Sequence, residues 1–129
     1  MKKIKYILYA LLLTSNLSAA DWPTWGGDAT RNMVSLETGL DLDFEPGEMN
    51  DDESVDMSTT KNIKWVAKLG SQAYGNVTIA NGRVFAGTNN ESPRDSGKKG
   101  DRGIVMCFNE KSGEIEWQLV IPKLGAGKV

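Results

Sequence analysis

The acidic run from Glu37 to Asp56 is where this sequence comes nearest to a ligand-binding pattern. It holds nine carboxylates and neither Lys nor Arg. Asp41-Leu42-Asp43-Phe44-Glu45 has the alternating carboxylates that open a calcium loop. An EF-hand loop then needs Gly at its sixth position for a sharp turn and Glu at its twelfth for bidentate coordination. Pro46 and Asp52 stand at those places. The run is therefore expected to be a solvated, mobile acidic linker with no metal site. Elsewhere the reactive side chains are fewer. The chain has one Cys, Cys107, and no His. That excludes His-based acid–base catalysis, His-ligated zinc, a Cys-x-x-Cys-His haem attachment, an internal disulfide and a thiolate cluster. No catalytic constellation is predicted.

Two further groups could bind rather than react. Trp22 and Trp25, in Asp21-Trp22-Pro23-Thr24-Trp25-Gly26-Gly27, could stack on a sugar or another ligand. Packed indoles are commoner than exposed pairs, so an extended segment pinned to a larger body is the plainer expectation. Asn89 to Arg102 is a polar insert in which Arg94, Lys98, Lys99 and Arg102 face Glu91, Asp95 and Asp101. It is longer than the two to five residues of an ordinary hairpin loop. It is either an idle solvated excursion or a contact for an acidic partner.

The elements that must carry these residues begin after residue 20. Lys2, Lys3 and Lys5 precede the apolar run Tyr6 to Leu13, and the small residues Ser18-Ala19-Ala20 follow. This order is that of a secretory signal peptide cut after Ala20. The apolar run is too short to span a bilayer. No Cys stands at the cut to take a lipid anchor. Cleavage would leave 109 residues and take three lysines, changing a net charge of −2 to −5. An acidic chain disfavours nucleic acid as partner. A periplasmic or secreted location is expected, and an unpaired Cys107 is tolerable in such an oxidising space if it is buried.

Residues 21–60 are expected to form an extended segment followed by the acidic linker, and residues 61–129 a β domain. Fourteen Gly and four Trp already favour a turn-rich β protein. From Asn62 to Leu69, Ile63, Trp65, Ala67 and Leu69 alternate with Lys64 and Lys68, the pattern of a half-exposed strand. Asn76 to Ala80 and Arg83 to Thr88 flank Asn81-Gly82, a strong hairpin signal. Gly103 to Phe108 is apolar on both faces. Glu114 to Ile121 places Ile115, Trp117, Leu119 and Ile121 on one side, after a turn at Lys111-Ser112-Gly113.

Residues 62–69 and 114–121 echo one another. Each has Ile, a charged residue, Trp and then alternation, and 52 residues separate Trp65 from Trp117. Four-strand repeats at about this period mark propeller blades. The segment Cys107-Phe108-Asn109-Glu110-Lys111-Ser112-Gly113-Glu114-Ile115-Glu116-Trp117 resembles the tryptophan-docking motif of PQQ-like, or quinoprotein-type, β-propellers, Ala-x-Asp-x-x-Thr-Gly-x-x-x-Trp. Gly113 and Trp117 match it, while Cys107, Asn109 and Ser112 stand at its Ala, Asp and Thr positions. Asn109 and Ser112 are suited to capping the turn, and Gly113 to a positive φ. The resemblance implies an all-β chain: one four-stranded antiparallel propeller blade plus an extra strand, 62–69, from an incomplete propeller. It also implies that Trp117 lies flat between blades as the main packing anchor, with Trp65 playing that part at ring closure.

Residues 1–129 are accordingly expected to be the N-terminal portion of a longer protein whose other blades are its first partners. Three functions stay open. One is a non-catalytic binding or scaffolding module with a protein partner. Another is a quinone-dependent alcohol or sugar dehydrogenase, for which the resemblance implies PQQ and calcium held downstream and no cofactor in residues 1–129. The last is an unrelated small β domain.

Overall fold

Asn81 and Gly82 both take positive φ, +53° and +72°. This pair matches the right-handed twist of the strands it joins. The computed structural model describes residues 20–123. The signal peptide expected over residues 1–20 lies, except for Ala20, outside the described residues. The described residues are all-β, with two antiparallel sheets and, among them, one short 3-10 helix, Met57–Thr59. The smaller sheet pairs β1 (Glu48–Met49) with β2 (Val55–Asp56). The larger one holds β3 (Thr78–Ala80), β4 (Arg83–Asn89), β5 (Arg102–Asn109) and β6 (Ile115–Pro122), in chain order across the sheet.

The period-two pattern divides the larger sheet into two unlike faces. On one face Val84, Ala86, Ile104, Met106 and Phe108 are buried, with Ile79 and Val120 packed beside them. Trp65, Ala67 and Leu69 cover this face. Residues 63–69, after a bend at Asn62, alternate in burial as their pattern predicts, but they join no ladder. Their apolar side chains lie against the sheet surface, so the segment acts as a cover instead of a fifth strand. This corrects the expectation of an extra strand. The other face carries Phe85, Val105, Cys107, Trp117, Leu119 and Ile121 by register. Trp117, Leu119 and Ile121 remain about half exposed there.

The acidic stretch is more ordered than a mobile linker. Asn50 and Ser54 close the β1–β2 turn, where the Asp52 carboxylate accepts from both the Ser54 N–H and its hydroxyl. Asp56 caps the 3-10 helix by accepting from Ser58 N at 2.9 Å. Those hydroxyl bonds hold the Asp52 and Asp56 carboxyls below the usual carboxylate range. Lys61, just before the covering segment, and Lys68, on it, pair with Asp43 and Glu53. Asp52 and Asp56 are therefore consumed in closing turns, and Asp43 and Glu53 in ion pairs with Lys61 and Lys68.

Candidate functional site

The turn between β5 and β6 is built by three polar residues and one glycine. Asn109 Oδ1 accepts from the backbone N–H of Lys111 at 2.9 Å and of Ser112 at 3.2 Å. Ser112 Oγ accepts from Glu114 N at 3.3 Å. Gly113 has φ +74° and donates its N–H to Asn109 O at 2.8 Å. Asn109 and Ser112 thus do what their positions predict, satisfying a turn that the chain alone would leave unpaired. Glu110 N donates in turn to Gly82 O, which joins this turn to the β3–β4 hairpin.

The turn receives an indole, and the indole belongs to Trp65. Its Nε1 donates to Glu110 O at 2.9 Å, and its ring lies 6.1 Å from that of Phe108. A Cβ at Gly113 would stand 2.5 Å from Trp65 Cδ2, so only glycine admits the ring. Trp117 does not fill this role within the chain. It is 46% exposed, and its nearest aromatic neighbour is Phe85, at 5.9 Å between centroids. Sequence reasoning placed both indoles in docking roles. It missed that Trp65 meets the turn whose own motif ends in Trp117.

Cys107 sits under Phe85 and Trp117 on the open face, yet it is fully buried. Burial, with the Glu116 carboxylate as a second cause, pushes its thiol pKa up. The group is a packing residue and a poor nucleophile. Beside it, a register shift between Cys107 and Phe108 marks a bulge against β6. Bulges re-aim side chains. Glu116 here takes Arg83 Nε at 2.8 Å and Asn109 Nδ2 at 3.2 Å. Those two bonds, Arg83 first, hold its carboxyl below the usual range.

Comparison with protein-family models, with curated proteins and with solved structures finds no match.

The opposite end of the sheet holds the polar insert. Arg94 folds back across the covered face, donating from Nη1 to Met106 Sδ at 3.4 Å and from Nη2 to Lys68 O. Asn90 ties the insert's ends by donating to Lys98 O and Gly100 O. Arg94 is thereby withdrawn from the four cations that an acidic partner could have met. Arg102 and Asp101 instead line an open cleft of about 650 Å³ with Gln72, Tyr74 and Lys123. Among the described residues no three His, Cys, Asp or Glu are grouped to hold a metal ion. No helix among them is long and apolar enough to cross a membrane.

Proposed function

We propose that this chain is a docking module of a PQQ-like β-propeller, acting outside the cytoplasm as a binding or scaffolding unit. One observation carries the reading: the Trp65 indole, seated on Gly113 and bonded to the Glu110 carbonyl. A Trp-bearing extended segment covers one face of a four-stranded meander at a Gly turn. Trp117 belongs to the same sequence pattern and stands on the other face with its ring half exposed. The module therefore offers one satisfied docking contact and one open indole of the same kind. Stacked repeats bury such faces against their neighbours. The chemistry on offer is recognition of a turn with a positive-φ glycine and a free carbonyl.

A tandem chain tests this. Joining a second copy of residues 70–123 after Ile121 gives Trp117 the same 48-residue distance to a Gly113 turn that Trp65 has. The expected result is one cooperative melting transition above that of the single module, with Trp117 fluorescence shifted to the blue. Two independent transitions at the single-module temperature would overturn the reading.

A further inference from the structure

The edge of β3 is already occupied by a peptide, and that peptide is the chain's own segment around Trp22. Trp22 N donates to Ile79 O at 2.8 Å, and Ile79 N donates to Trp22 O at 3.0 Å. The Asp21 carboxylate accepts from Asn81 N at 3.1 and 3.2 Å, capping the hairpin next to the bridge. The pairing is this single bridge, and Pro23, whose backbone nitrogen faces away from β3, leaves the hook's outer edge without a donor there. Gly26 and Gly27, with φ +84° and +85°, then turn the chain back, and Gly27 N donates to Thr24 O. The Trp22 ring closes over Gly27, where a Cβ would lie 2.8 Å from it. Residues 21–27 thus form a hook that reaches the sheet through two backbone bonds and one cap.

What joins the hook to the body makes it exchangeable. Residues 28–44 are exposed throughout and pair with no strand. A detached hook leaves Ile79 with an unpaired N–H and carbonyl on an edge strand, a surface that accepts any suitable extended peptide. We propose that the β3 edge is a strand-acceptor site whose ligand is the Asp21–Gly27 hook, and that it takes the hook of a second copy of this chain. Swapping identical elements needs no new type of contact, because each bond made between copies replaces the same bond within one copy. The proposal is independent of the propeller reading. It needs only the bridge, the cap and the tether.

The test uses the whole chain. Trp22→Pro removes the N–H that Ile79 O accepts and unseats the hook, leaving the acceptor edge vacant. In the ¹⁵N-labelled intact chain the Ile79 amide is protected from hydrogen exchange. In labelled Trp22→Pro that protection is lost, while Met106 in the β5 ladder keeps its own. Adding unlabelled intact chain, or a synthetic peptide of residues 20–28, at millimolar concentration restores protection at Ile79 of the labelled variant. No restoration by either donor overturns the proposal. Should Trp22→Pro unfold, seen as loss of Met106 protection, the same mixing with Asp21→Ala decides. That variant keeps both backbone donors and loses the cap, so its weakened Ile79 protection rises on mixing, and an unchanged rate overturns the proposal.

Discussion

Three residues near the β5–β6 turn have consequences that can be measured one at a time. Cys107 is fully buried and its thiol pKa is raised, so a bulky thiol reagent at pH 8 should label the native chain far more slowly than the unfolded one. Equal rates would contradict its packing role. Glu116 is held below the usual carboxylate range by Arg83 and then Asn109. A carboxyl whose folded pKa is depressed adds stability that is fully present above its unfolded pKa, about 4.3. That contribution is lost as pH falls through the lower folded value. Glu116→Gln should therefore destabilise the chain at pH 7, and the gap should close in acid below about pH 4. A gap that persists at pH 2 would show that the interaction is not ionic. At this scale the sequence was informative about capping, since Asn109, Ser112 and Gly113 each have a turn chemistry of their own. The Arg83–Glu116 pair was illegible, because it depends on a bulge that no local pattern announces.

Elements tell a different story about what a pattern can reveal. The four strands of the larger sheet follow from their alternation and from Asn81-Gly82, to within two residues at each end. Residues 62–69 have the same alternation and are not a strand, because period two reports only that one side is apolar and not what the backbone pairs with. The order of the acidic stretch was equally hidden, since its ion pairs join Asp43 and Glu53 to lysines at and just before the cover, Lys68 and Lys61. The docking contact gives the clearest test. Trp65→Ala should cost about 3–5 kcal/mol in a denaturant titration, the range for removing a large packed aromatic. Trp117→Ala should cost less in this chain, because its ring is half exposed. Gly113→Ala should cost at least about 1–2 kcal/mol from the positive φ alone, with the displacement of Trp65 added. If Trp117→Ala proved the costlier tryptophan substitution, the assignment of the docked indole would be wrong.

For the molecule as a whole, the covered and open faces are joined by segments that lie far apart in sequence. Arg94 reaches from the insert to the cover and the core, so Arg94→Ala should lower stability by about 1 kcal/mol, with Met106 exchange accelerated. Unchanged exchange would return the insert to an idle excursion. The hook was beyond sequence reasoning for a similar reason. Trp22 and Pro23 signal an extended segment, but nothing local selects Ile79 as the partner. That contact also determines how the chain behaves as it is concentrated. A hook tethered to its own sheet by a short exposed stretch competes as if it were free at roughly millimolar concentration. Dilute chains therefore close on themselves, and a stranger's hook prevails only as chain concentration approaches that value. Strand-exchanged dimers should then accumulate on concentration and dissolve on dilution, so the length of the tether, rather than the strength of the bridge, sets the crossover.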